Sequence, residues 1–243
     1  MISRTTILLT FVFGFALCEI PSFIKVCERS NPDLKGCINN SISEIVPYLK
    51  NGIPELNVPP LEPLILDNIN LKGNGENGIG ATLSELKVYG AANFHISELS
   101  PNLKKNLFRF RVHIPKMSVF GKYDTDSKIL FINIKGNGPM SMNISDFVFD
   151  CAMKGHKVQK ESREYLEFDK MKFNIHIGSS KIVLENLFNG DPVLGKATND
   201  VINENIHLFL DEIVPALQNA LAEKFTDVAN KITLRFTYSE LFP

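Results

Sequence analysis

Tryptophan is absent from this 243-residue chain, and so is any block of like charge: 26 Lys and Arg are interspersed with 27 Asp and Glu, for a net charge of −1. Without a basic stripe, nucleic acid is excluded as a partner. Cysteine is scarce, at four residues, and the five histidines (His95, His113, His156, His176 and His207) stand apart from one another. No H-E-x-x-H or Cys-x-x-Cys spacing occurs, so neither a metal nor a cofactor is expected. No G-x-S-x-G elbow occurs either, and nothing in the sequence calls for catalysis. Long apolar runs are missing too. Ile7 to Leu17, interrupted by Thr10 and Gly14, falls short of the about 20 residues that span a bilayer.

That run has a different use. Arg4 supplies a positive start, and Ala16 and Cys18 are small residues at the spacing a signal peptidase accepts. Residues 1–18 therefore read as a secretory signal, cleaved before Glu19, leaving 19–243 as one soluble, extracellular domain. Secretion permits a disulfide. Cys27 and Cys37 are the natural pair, and closing so short a loop stabilises by about 2.5–3 kcal/mol through lost chain entropy in the unfolded state. Free thiols or a metal site are the other readings of these two, with no histidine nearby to favour the latter. Cys151 is left over, as a buried inert thiol or an intermolecular partner. The sequons at Asn39 and Asn143 are permitted glycan sites.

The hydrophobic period runs helix, strand, helix. Ile38, Ile42, Ile45, Val46 and Leu49 recur at three and four, predicting a helix from about Leu34 to Lys50 that Asn51-Gly52 ends. A Pro-rich linker, Gly52 to Pro63, follows. From Leu64 to Leu187 the period is two. Phe108, Phe110, Val112 and Ile114 alternate with polar residues, as do Met140, Met142 and Ile144, and Met171, Phe173, Ile175 and Ile177. Gly73-Asn74-Gly75, Asp124 to Ser127 and Gly136 to Pro139 read as turns between them, which makes the sheet antiparallel. After Asn189 to Pro192 the period returns to 3.6. Ile202, Ile206, Phe209, Ile213, Leu217, Ala220 and Leu221 form one stripe of a long helix containing Pro215. A one-sided sheet needs a cover, so this α+β chain should fold its sheet around that helix. The enclosed apolar space is then a packed core or a tunnel.

Two glycine motifs imitate nucleotide sites. Gly73 to Gly78 fits G-x-G-x-x-G, but Ala81 to Tyr89 reads as strand where a helix is required. Gly190-Asp191-Pro192-Val193-Leu194-Gly195-Lys196 resembles a phosphate loop, but Ala197 stands where the magnesium-holding hydroxyl belongs.

Cys27-Glu28-Arg29-Ser30 with Gly36-Cys37, Gly52-Ile53-Pro54-Glu55-Leu56 and Pro59 to Pro63 resemble the N-terminal motif of the insect takeout and juvenile-hormone-binding protein family. Asn186 to Asp191, continuing through Leu194-Gly195 to Asn203-Glu204-Asn205, resembles its second motif. The resemblance spans the chain. It implies a TULIP-type fold, a strongly curved antiparallel sheet wrapped around a long C-terminal helix with an internal hydrophobic tunnel, and a Cys27–Cys37 bridge. It also implies a secreted, monomeric, non-enzymatic carrier of juvenile hormone, a fatty acid or a related lipid, in circadian, feeding or chemosensory physiology. The second disulfide of the hormone carriers cannot form with Cys151 alone, which favours the takeout branch. Phe110, Val112, Met140, Met142, Phe173 and Ile175 are candidates for the sheet side of the tunnel, and Phe209 and Ile213 for the helix side. The competing reading is a secreted signalling protein with a packed interior, recognised through its surface by a receptor the sequence does not name.

Overall fold

The computed structural model describes residues 20–71, 80–129 and 132–243. The signal segment and the Gly73 to Gly78 loop lie outside these residues. The elements in order are helix α1 (Leu34–Asn51), strands β1 (Leu64–Leu66), β2 (Ile69–Leu71), β3 (Ala81–Tyr89), β4 (His95–Asn102), β5 (Leu107–Ile129), β6 (Ile132–Lys160), β7 (Arg163–Phe168) and β8 (Lys172–Leu184), then helices α2 (Pro192–Glu204), α3 (Ile206–Thr233) and α4 (Tyr238–Leu241).

The α1 helix starts where Asp33 accepts the Gly36 N–H at 2.9 Å and ends at Gly52, whose φ of 82° suits a residue without Cβ. None of its residues is fully buried. Its apolar face rides over a cavity instead of entering a solid core.

The strands form one antiparallel sheet around the β5–β6 hairpin. The first half of β5 pairs with β4 and the second half with β3, which also carries β1 and β2. Likewise, β6 pairs with β8 and, further on, with β7. Two expected turns are in fact strand. Asp124 to Ser127 continues β5, and Gly136 to Pro139 continues β6. The glycines there mark close approach: a Cβ on Gly136 would lie 2.8 Å from the Tyr123 hydroxyl, and one on Gly138 2.8 Å from Glu185 O.

The sheet bends along a row crossing three strands. Pro115 on β5 faces Asp146 on β6, which has a φ of 55°, and Gly178 on β8 lies beside Asp146. On each strand the inward parity slips by one at this row. Ile114 gives way to Met117, Ile144 to Phe147, and Ile177 to Ile182 and Leu184 on the cavity wall. Bulges at Glu85 in β3 and Glu98 in β4, both at positive φ, add curvature.

Helices α2 and α3 close the curved sheet. The expected single helix is broken at Asn205, so Ile202 of the apolar stripe sits on α2 and the rest on α3. Five polar side chains on these helices replace the missing next strand along β7 and β8. Asn199 accepts from Leu184 N and donates to Leu184 O, at 2.8 and 2.9 Å. Asn203 does the same for Ile182, at 2.9 and 2.7 Å, and Asn230 for Phe168, at 2.7 and 2.9 Å. Gln218 accepts from Ile175 N at 3.0 Å and Thr226 from Met171 N at 2.9 Å. Main-chain groups that would template aggregation are thereby satisfied and covered.

Candidate ligand-binding site

Because α3 spans a concave sheet without filling it, a chamber of about 580 Å³ remains between them. From α3, Leu210, Ile213, Leu217, Leu221, Phe225 and Ile232 face it at helical spacing. From the sheet come Leu86 and Val88 of β3, Val112, Ile114 and Met117 of β5, Met140, Met142 and Ile144 of β6, and Ile182 and Leu184 of β8. On α1, Ile45 and Leu49 close one end.

Polar atoms on this wall are few and already engaged. The Tyr123 hydroxyl donates to Glu185 O at 2.6 Å, and burial, with the Glu185 carboxylate nearby, pushes its pKa up to about 12. Thr125 Oγ1 donates to Gly80 O at 2.9 Å. Among the described residues Cys151 is the free cysteine, buried on the wall, and burial pushes its thiol up to about 12. A thiol so far from ionising is inert.

A second compartment, a vestibule of about 410 Å³, adjoins the chamber beneath α1. The N-terminal segment (Ile20, Ile24, Val26, Cys27), α1 (Ile38, Ile42) and the C-terminal Phe236, Leu241 and Phe242 build it. Ile24, Leu56, Ile96, Phe110, Met153 and Ile232 line both compartments and form the partition between them. Cys27 and Cys37 are bonded, fastening the segment that walls the vestibule onto α1.

Of the residues singled out from sequence, Phe110, Val112, Met140, Met142, Phe173, Phe209 and Ile213 stand on the chamber wall. Ile175 shares the inward face of β8 and is buried, but it does not line the chamber, because α3 crosses over it where Gln218 takes its N–H. The wall residues Met117, Phe147 and Phe149 escaped the sequence reading because they lie past the parity slip. The vestibule also escaped it, since its walls come from segments far apart in the chain. Asn39 and Asn143 are both exposed.

The nucleotide-like loop is occupied by its own side chain. Asp191 accepts from Val193 N and Leu194 N, both at 2.9 Å, and Lys196 pairs with Asp200. A carboxylate on the first amides of α2 repels phosphate. Among the described residues no cluster could hold a metal, and no helix is long and apolar enough to cross a membrane.

Comparison with known proteins agrees with this architecture. The circadian clock-controlled protein daywake of Drosophila melanogaster is 25% identical over 231 residues, covering 91% of this chain and 88% of its own. A putative beta-carotene-binding protein of Schistocerca gregaria is 20% identical over 222 residues, covering 90% and 88%. The crystal structure of Epiphyas postvittana Takeout 1 superposes with a TM-score of 0.75 at 22% identity, covering 85% of this chain and 95% of that one, which establishes a common fold. Residues 6–243 match the family described as haemolymph juvenile hormone binding protein, a family of binding proteins and not of enzymes, and the chain belongs to it.

Proposed function

We propose that this protein is a secreted, monomeric carrier of a small hydrophobic molecule, such as a terpenoid hormone, a fatty-acid derivative or a related lipid. The observation that carries this reading is the chamber of about 580 Å³ whose few polar groups are already hydrogen-bonded. Its size lies within the ordinary range of ligand pockets, about 300–1,000 Å³. The mechanism is partition. An apolar ligand leaving water for such a wall gains about 25 cal/mol per Å² buried, and no bond is made or broken. The Cys27–Cys37 bridge is consistent with an oxidising, extracellular location, as is the reading of residues 1–18 as a signal. Exposure of Asn39 and Asn143 is compatible with glycans there. The clock-controlled description of the daywake relatives makes circadian physiology the setting we favour.

Displacement of a fluorescent fatty-acid probe by a panel of terpenoids, fatty esters and carotenoids tests the proposal. Several members should compete in the wild type. In Leu217→Trp, whose indole would occupy the chamber, their affinity should fall at least tenfold with the circular dichroism unchanged. Failure of every apolar compound to bind the wild type would leave the surface-acting alternative.

A further inference from the structure

The outer face of an antiparallel sheet whose inner face is packed should be polar. On one side of the bend it is: Arg111, Asp150 and Asn174 share an outward row across β5, β6 and β8. On the other side two outward rows depart from this. The first runs Ile65, Lys87, Phe120, Ser141 and Val183, and the next runs Tyr89, Ser118, Asn143 and Lys181. Ile65, Tyr89, Phe120 and Val183 are between 41% and 47% exposed, and the Tyr89 and Phe120 rings meet edge to face at 5.9 Å. Large apolar side chains gathered on one exposed face call for a cover. The sequon Asn143-Ile144-Ser145 stands inside this patch. Phe120 and Val183 are the diagonal neighbours of Asn143 on the two flanking strands, about 7–8 Å away by sheet geometry. Ser118 Oγ donates to Asn143 Oδ1 at 2.8 Å, which turns the Asn143 side chain toward β5 and the two rings. Among the described residues nothing accepts from Asn143 Nδ2, the atom that would carry a sugar.

We propose that Asn143 carries an N-linked glycan whose first N-acetylglucosamine packs on Phe120 and Tyr89, so that sugar is the cover of this patch. This rests on the secreted reading above, since the donor is met only in the secretory pathway. Glycosylation joins Asn143 Nδ2 to the anomeric carbon of an oligosaccharide held on a lipid diphosphate. Nδ2 gives up one proton, the C1–O bond of the sugar breaks, and the lipid diphosphate leaves with that proton. Oδ1 takes no part, so its bond from Ser118 survives and keeps the attached sugar on the β5 side. The C–H edges of a pyranose carry slight positive charge and suit the negative face of an aromatic ring. Ser118, Ser141 and Ser145, the outward residues around Asn143, are short and leave that sugar room. A bulky, hydrated glycan seated there turns an apolar face into a solvated one.

The test uses the full chain with Asn39→Gln, so that Asn143 is the sequon left to carry sugar. It is made in insect cells and, bare, in the bacterial periplasm, which also forms disulfides. Peptide mass spectrometry of the secreted protein should find Asn143 occupied. Trimmed to one N-acetylglucosamine, that protein should melt about 2 °C above the periplasmic one, the scale of one weak contact in a chain of this length. In Phe120→Ser, with circular dichroism unchanged, the increment should vanish. A bare Asn143 in secreted protein, or an equal increment with and without Phe120, would overturn the proposal and leave the carrier standing. A dimer of the glycosylated protein that Phe120→Ser disrupts in sedimentation would give the face to a second copy and overturn it as well. Retention inside the insect cells with residues 1–18 uncleaved would remove the secreted reading and this inference together.

Discussion

Helix α3 meets the sheet along two flanks held by different chemistry. On the β7–β8 flank, Asn199 and Asn203 of α2 and Gln218 and Asn230 of α3 hydrogen-bond to strand main chain, and Thr226 of α3 to Met171 between the two strands. On the β1–β2 flank the polar contact among the described residues is one ion pair, Lys224 to Asp67 at 3.2 Å, with the Asp67 side chain 88% exposed. The first flank fixes register, because each amide fits one residue of the strand. The second rests on apolar side chains such as Leu66, Ile69 and Leu71, which also line the chamber and make no directional demand. One side of the chamber is therefore pinned and the other is free to give. This is a useful arrangement where an apolar molecule must reach an enclosed space.

The largest expected effect comes from unpinning the first flank. Asn199→Ala with Asn203→Ala leaves the N–H and C=O of both Leu184 and Ile182 without partners, and each unsatisfied buried group costs about 1–3 kcal/mol. Urea unfolding should show a loss of at least about 3 kcal/mol, and a loss near zero would show that the flanks do not differ. A smaller effect follows from Thr226→Val, which keeps the shape and removes a single bond, and should cost about 1 kcal/mol. On the second flank, Asp67→Asn should change stability by no more than about 0.5 kcal/mol, since the Asp67 carboxylate is 88% exposed and its attraction to Lys224 is screened by water. Amide exchange should then be faster in β2 than in β8.

The smallest effect concerns the wall itself. Burial holds Cys151 up to about 12, against 9.0 when exposed. The raised folded value means that the native state keeps its proton where the unfolded state loses it. The stabilisation is complete below pH 9 and is lost as pH rises toward about 12. Iodoacetamide at pH 8 should leave Cys151 unmodified in the native protein and alkylate it in urea. Rapid native alkylation would place the thiol off the wall.

Much of this was legible in sequence, for reasons that also set the limits. Periods of 3.6 and 2 located α1, α3 and the inward faces around Phe110, Met142 and Phe173. Each of those readings held only within one stretch of constant parity. At Pro115, Asp146 and Gly178 the inward face slips by one residue, so two very long strands look like several short ones. Gly136 and Gly138 read as turn residues because sequence does not distinguish a glycine needed for backbone freedom from one needed for close approach. Nothing in the sequence pairs Asn199, Asn203 and Asn230 with strand main chain. Their partners lie on strands that only the tertiary fold brings near. Ile175 failed as a wall residue for a related reason, since which inward residues meet helix and which meet empty space depends on the path of α3.

Native mass spectrometry tests the central claim most directly. After incubation with a mixture of terpenoids and long-chain esters, wild-type protein should retain one apolar molecule per chain, and Leu217→Trp, with its chamber filled, should be recovered bare. Wild-type protein recovered bare, or both proteins retaining ligand equally, would contradict the assignment of the space between α3 and the sheet as the binding site.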